Sequence, residues 1–230
     1  WNDTSGADVI VGETTAGRAV AKNMTANHCT VAGVNVSRET KANLRKYADL
    51  LAKWNKKINL ISAFTVADLW SRHIVDSAQI YNLCPDAQGI WADFGSGGGF
   101  PGLVVAIIAK ELNPDLKVVL VESDQRKATF LRTVIRETAL SANVKTERIE
   151  TLMPIGADVV SARALADLPE LLGFAERHLC PDGTALFQKG AIWQKELVQA
   201  RKSWSFQSEH FTSVTAPQAV ILKIERIAHA

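Results

Sequence analysis

The stretch Trp91-Ala92-Asp93-Phe94-Gly95-Ser96-Gly97-Gly98-Gly99-Phe100-Pro101-Gly102 leads a short apolar run into a cluster of glycines and then into a proline. Such a run reads as a strand ending at a turn, and Pro101 suits the first turn of a following helix, where its absent N–H is not missed. Glycines at 95, 97 and 99 let the backbone turn tightly and approach a ligand with no Cβ in the way. Strand, glycine turn and helix in that order suit a nucleotide-like ligand, although strand-end turns often need glycine for geometry alone.

Outward from this loop, the chain after Pro85 alternates short apolar runs with longer helical patterns, the sequence form of an α/β sheet with crossover helices. Strands are expected near 90–94, 117–121, 143–148, 157–162 and 183–188, and helices near 101–111, 124–139, 166–179 and 191–202. Two β-rich runs, about 206–214 and 219–226, flank Ala216-Pro217-Gln218 and predict a terminal antiparallel hairpin. The fold class is a Rossmann-like α/β sheet with helices on both faces.

Before Pro85, Leu44, Tyr47, Ala48, Leu51 and Trp54 recur at helical spacing with Ser37 as N-cap, and a second helix is expected after Thr65 on the apolar residues Leu69, Trp70, Ile74 and Val75. Residues 1–36, rich in Thr, Ala, Gly and Asn, read as a loosely structured extension. Residues 37–230 then make one domain, with a helical part over 37–85 and the sheet over 86–230.

A chain of 230 residues, 47% hydrophobic, can bury one sizeable core. Its longest strongly apolar stretch, residues 103–109, is far too short to cross a bilayer, so a cytoplasmic protein with no membrane partner is expected. Three cysteines without a C-x-x-C pair indicate neither a disulfide framework nor a zinc site. His73 and Asp76 lie one helical turn apart, but two potential ligands do not make a metal site, and a structural hydrogen-bonding role is favoured. A monomer without metal is the expectation. The net charge of +2 does not demand a polyanionic partner by itself.

Two carboxylates narrow the ligand. Glu122 closes the apolar strand that follows the loop, where an acid can accept hydrogen bonds from both ribose hydroxyls of an adenosine. Asp93 stands two residues before the first glycine. A carboxylate there repels a pyrophosphate, whereas S-adenosylmethionine carries an ammonium and a sulfonium that favour nearby negative charge. The spacing G-x-G-x-G also departs from the dinucleotide G-x-G-x-x-G. Asp93, Gly95, Gly97, Gly99 and Glu122 are therefore candidate cofactor residues for S-adenosylmethionine.

The residues resemble the bacterial 16S ribosomal RNA guanine-N7 methyltransferases, also called the glucose-inhibited division protein B family. The resemblance spans roughly residues 44–189 and is carried by D-F-G-S-G-G-G-F-P-G from Asp93 to Gly102, by Trp54-Asn55 and Ile58-Asn59-Leu60, and by Arg72-His73-Ile74-Val75-Asp76-Ser77. Glu122-Ser123-Asp124-Gln125-Arg126-Lys127, Arg148-Ile149-Glu150, Ser161-Ala162-Arg163-Ala164 and Gln188-Lys189-Gly190 follow in order. It implies a class I methyltransferase sheet, S-adenosylmethionine as cofactor, and cofactor contact by Gly95, Phe100, Ile149, Glu150 and Arg163. The implied partner is 16S ribosomal RNA or the small-subunit particle. On the residues alone, Arg163 could instead satisfy helix-end carbonyls or pair with Asp167, but its strand-end position, which faces the crevice in an open α/β sheet, favours the site role.

Guanine N7 carries an in-plane lone pair and loses no proton before attack, so no catalytic base is assigned. Basic residues at strand ends or on the second crossover helix, chiefly Arg126, Lys127 and Lys189, are candidates for RNA phosphate contact. A small-molecule methyltransferase with the same cofactor loop is the alternative reading. A nicotinamide-dependent oxidoreductase is a more distant one.

Overall fold

The structure, a computed structural model, describes residues 28–230. Parallel strands β3 (Ile90–Phe94), β4 (Lys117–Val121), β5 (Ala142–Lys145), β6 (Ala157–Arg163) and β7 (Leu179–Lys189) are followed by β8 (Trp204–Thr212) and β9 (Val220–His229) in one seven-stranded sheet of order β5-β4-β3-β6-β7-β9-β8. β9 runs antiparallel between β7 and β8, so the expected terminal hairpin finishes the sheet. The chain starts this sheet at β3, runs outward to β5 and returns to β6 on the other side, which puts a topological switch point between the carboxyl ends of β3 and β6.

Period-two alternation divides the core between the two faces. Trp91, Val118, Leu120, Val159 and Leu186 face α1 (Arg38–Asn55), α2 (Gly102–Leu112) and α3 (Gln125–Glu137). Ala92, Phe94, Val160, Ala162 and Phe187 meet α4 (Leu168–His178) on the other side, and α5 (Trp193–Ala200) follows β7. From Gly102 through Ala109 α2 is apolar all round and buried, as a helical stretch without a polar face must be, and Lys110 and Glu111 follow in its last turn. Among the described residues no helix is long and apolar enough to cross a membrane, and no group of three or more His, Cys, Asp or Glu side chains could hold a metal ion.

Two expectations need correction in the N-terminal part. Residues 1–27 lie outside the described residues, but 28–37 are not loose: β1 (His28–Val31) and β2 (Val34–Ser37) form a hairpin whose Val31, Val34 and Val36 are buried in the core. Ser37 caps α1 as expected, accepting from the Thr40 N–H at 3.1 Å, and Glu111 on α2 accepts from both the Ser37 N–H and its hydroxyl. Burial pushes the Glu111 carboxyl up, but hydrogen bonds from Thr40 and Ser37 outweigh it and hold the group below its ordinary value. The second expected helix is a composite instead. A 3-10 turn at Ala63–Thr65 precedes a π-wound segment Trp70–Val75, one α-turn Asp76–Ala78 and a 3-10 segment Gln79–Leu83. Thr65 caps none of these: its hydroxyl donates to Ser62 O and meets His73 Nε2.

Candidate active site at the carboxyl ends of the strands

The glycine loop leaves β3 at Phe94 and is tied to the neighbouring strand by the Ser96 N–H, which donates to Val121 O at 3.1 Å. Tyr47 on α1 donates to Gly98 O at 2.5 Å and pins the loop from above. Glu122, buried just beyond β4, accepts from the Gly97 N–H through Oε2 and from the Asp124 N–H through Oε1, both at 2.8 Å. Each carboxylate oxygen retains a second lone pair. Gly97 and Glu122 line a crevice of about 350 Å³ together with Gly95, Lys127, Ile149 and Glu150. Leu165 closes the far wall: a Cβ on Gly95, whose φ is +60°, would lie 2.5 Å from the Leu165 side chain. Behind Ile149, the His178 imidazole holds Ile149 O through Nε2 at 3.0 Å.

A second hollow opens beside the first, and Gly95, Gly97, Lys127 and Ala164 belong to both. Its floor is Phe100, with the Arg163 guanidinium 4.7 Å above the ring and His73 stacked against it at 5.1 Å. Arg163 donates to His73 Nδ1 at 2.9 Å and pairs with Asp76 Oδ2 at 3.4 Å. A guanidinium can only donate, so His73 Nδ1 is the acceptor and the ring proton sits on Nε2, facing Thr65 Oγ1 at 2.9 Å. Burial, reinforced by the Arg163 charge, lowers the His73 pKa to about 4 and keeps the imidazole neutral. Asp76 also accepts from Gln79, Gln188, Ser213 and Thr215, joining the composite helix to β7 and to the loop after β8. Arg163 thus pairs with Asp76 rather than Asp167, which caps α4 through the Glu170 N–H.

Asp93 is not on a crevice wall. It is fully buried beneath the loop, its Oδ1 accepting from the Ser161 hydroxyl at 2.8 Å, while Ser161 accepts from Trp91 Nε1 at 2.9 Å. Oδ2 is buried without a hydrogen-bond partner. Burial pushes the Asp93 carboxyl up to about 6, against the Ser161 hydrogen bond that favours its ionised form. Gly102 sits directly over it, since a Cβ there would come 2.7 Å from Asp93 Oδ2. Gly99 likewise serves packing, because a Cβ would meet Leu103 at 2.4 Å and Tyr47 Oη at 2.8 Å.

The profile of the family described as rRNA small subunit methyltransferase G (GidB) matches residues 40–224. The chain belongs to this family. Ribosomal RNA small subunit methyltransferase G of Ruegeria pomeroyi is 56% identical over 191 residues, covering 83% of this chain and 93% of that protein. The protein of the same name from Cereibacter sphaeroides strain ATCC 17025 is 53% identical over 207 residues, covering 90% and 100%. Among solved structures, an O-methyltransferase from Bacillus cereus in complex with SAH matches with a TM-score of 0.54 at 14% identity, over 80% of this chain and 90% of that one. A putative S-adenosyl-L-methionine-dependent methyltransferase from Methanococcus maripaludis matches with a TM-score of 0.52 at 15% identity, over 79% and 93%. At that identity the likeness concerns the fold.

For a member of the methyltransferase G family, the residues present fit S-adenosylmethionine. Glu122 offers free lone pairs to a diol, and Gly95 and Gly97 bring bare backbone to the crevice. The basic candidates divide. Lys127 borders the crevice, the Arg163 hollow and a third groove shared with Lys57 and Arg126, and its ammonium has no ion pair among the described residues. The Arg126 side chain is 75% exposed and pairs with Asp124 at 3.3 Å. Lys189, in contrast, is buried, with Nζ 2.6 Å from Glu196 and 2.8 Å from Ala166 O, so its charge is already matched and it leaves the phosphate rim. Sequence reasoning missed Leu165; the structural hydrogen-bonding role it favoured for His73 and Asp76 is the one the structure shows, although it did not name Asp76's partners. The Ser161-Ala162-Arg163-Ala164 motif could have pointed to the loop of Leu165, whereas no local signal announces Asp76's partners 112 to 139 residues away.

Proposed function

We propose that this protein transfers the methyl group of S-adenosylmethionine to N7 of a guanine in 16S ribosomal RNA. The coarser statement, an S-adenosylmethionine-dependent ribosomal RNA methyltransferase, follows from family membership and agrees with the fold. The observation that carries it is Glu122, a carboxylate oriented by two backbone N–H groups on the wall of a crevice at the switch point.

Bound S-adenosylmethionine supplies an electrophilic methyl group on a sulfonium. Glu122 accepts the ribose hydroxyls, Ile149 gives an apolar wall and Gly95 leaves room at the loop. Arg163, braced by Asp76 and His73 over Phe100, offers a guanidinium to the carboxylate of the amino-acid end. Asp93 contributes negative charge from below the loop without direct contact. The choice of N7 is supported by the chemistry of the surrounding side chains. A ring nitrogen with an in-plane lone pair needs positioning rather than deprotonation, and alignment of reacting atoms contributes several kcal/mol of barrier reduction, on the order of 7 or more in favourable cases. His73, the imidazole bordering the Arg163 hollow, is held neutral with both nitrogens committed, which suits a scaffold rather than a proton acceptor.

The test is tritiated methyl transfer to small-subunit RNA and particles, followed by nucleoside analysis. The label is expected on 7-methylguanosine. Label on cytosine, adenine or a ribose hydroxyl rejects the N7 assignment and leaves the methyltransferase reading in place, while transfer only to small molecules favours the alternative.

A further inference from the structure

Beyond the cofactor crevice, a separate crevice of about 420 Å³ opens at the carboxyl ends of β6 and β7 and shares Ala164 and Ala166 with the first. Its walls mix apolar surface from Ile192, Val220 and Ile221 with polar groups of Gln188, Lys189 and Glu196. We infer that this crevice takes the target base, and that Glu196 reads guanine by accepting from its N1–H and N2–H groups. The inference rests on the guanine-N7 reading above and adds a specificity-determining residue to it.

The geometry of the reaction sets the orientation of the base. When N7 faces the methyl donor, the Hoogsteen edge points to the cofactor crevice and the Watson–Crick edge points away, so two adjacent N–H donors need acceptors on the opposite side. Glu196 is placed and held for that role. Its Oε2 accepts from Lys189 Nζ at 2.6 Å and from the Leu168 N–H at 2.9 Å, while Oε1 has no partner among the described residues. Lys189 uses two of its three N–H groups on Glu196 and Ala166 O, which leaves one donor for an acceptor such as O6.

Gln188 supplies a second sign of an unfilled polar site. Its Nε2 donates to Asp76 O at 2.9 Å and to Asp76 Oδ2 at 2.8 Å, which fixes the amide orientation, because an amide oxygen facing two acceptors is excluded. Oε1 is thereby turned from Asp76 and is buried without a partner, on a residue that lines this crevice. Adenine presents a bare N1 and no 2-amino group, so in the same pose it would leave Glu196 facing a lone pair. Sites built around such donors reject analogues lacking them far more strongly than sites that discriminate by shape.

The experiment compares small-subunit particles reconstituted with guanine or inosine at the modified position, inosine lacking the 2-amino group. Wild-type enzyme is expected to prefer guanine by about tenfold or more in kcat/KM, the scale of a hydrogen bond to a charged group. Glu196→Gln, with cofactor affinity within twofold of wild type, is expected to lower that preference to about threefold or less. A merely structural Glu196 would slow both substrates alike and leave the ratio unchanged, which overturns the inference. Should Glu196→Gln fail to fold, Ile192→Trp fills the exposed mouth of the crevice: transfer must be lost with cofactor affinity retained, and wild-type transfer in that variant overturns the proposal. Failure of the underlying reading is seen separately, in the wild-type product, as label at a position other than guanine N7.

Discussion

At the scale of single residues, Glu122 and Asp93 are two carboxylates with opposite fates, although sequence reasoning grouped them as cofactor residues. Glu122 stays at the surface of the crevice because two backbone N–H groups satisfy one lone pair on each oxygen. Glu122→Ala is expected to weaken S-adenosylmethionine binding by about 1.5–3 kcal/mol in a folded variant, read by calorimetric titration. Asp93 is sealed under Gly102, and its folded pKa of about 6 lies above the value near 3.9 of an unfolded chain. Between those values the native state binds the extra proton, so stability falls as pH rises from about 4 to about 6, and the loss persists above that window. Asp93→Asn is expected to remove this slope and to change stability at neutral pH in the favourable direction by about 1–2 kcal/mol, measured by denaturant titration across the window. A slope retained in the variant would assign it to another group. The loop was legible because backbone approach and glycine spacing are local. The burial of Asp93 was not, since it depends on α2 folding back over the strand end.

At the scale of elements, the alternation of apolar runs and helical periods located all five parallel strands and the terminal hairpin, because each strand carries its own burial signal. The composite segment over 70–83 did not follow its helical period. Its winding goes with Asp76, which is bonded to Gln188, Ser213, Thr215 and Arg163, and such distant partners leave no trace in local periodicity. The hairpin over 28–37 was hidden by its setting: four-residue strands around Ala32-Gly33, with φ of 51° and 83°, sit beside a long Thr- and Ala-rich tract. Beside its buried valines, this hairpin is fastened by Glu111, whose carboxylate takes both the N–H and the hydroxyl of Ser37 at 2.8–3.0 Å. Glu111→Ala is expected to cost about 1 kcal/mol, the lower end for charge-assisted bonds because the carboxylate is partly exposed. Since its folded pKa is depressed, this contribution is present above the unfolded carboxylate pKa and fades as pH falls toward and through the folded value. Thermal melting of wild type and variant at neutral and acidic pH reads both effects, and curves that stay equally separated in acid would exclude the ionised clamp.

At the scale of the whole molecule, a net charge of +2 gives little general attraction for RNA, so affinity depends on where the unmatched cations stand. Lys57, Arg126 and Lys127 line one groove beside the cofactor crevice, and Lys127 also borders both hollows of the site. Each phosphate neutralised by such a cation releases counterions, so RNA binding weakens as salt rises, with a logarithmic slope that counts the contacts. Lys127→Ala is expected to reduce that slope by about one unit, and Arg126→Ala by about one unit as well, because its exposed pair with Asp124 is too weak to hold it from a phosphate. Lys189→Met is expected to leave the slope unchanged, since Glu196 at 2.6 Å already neutralises the ammonium inside the fold. Filter binding or fluorescence anisotropy with small-subunit RNA over a range of salt measures all three, with calorimetric cofactor binding reporting that each variant is folded. A slope change for Lys189→Met equal to that for Lys127→Ala would mean that the Lys189–Glu196 pair opens on RNA binding. An unchanged slope for both Arg126→Ala and Lys127→Ala would move the RNA path away from this groove.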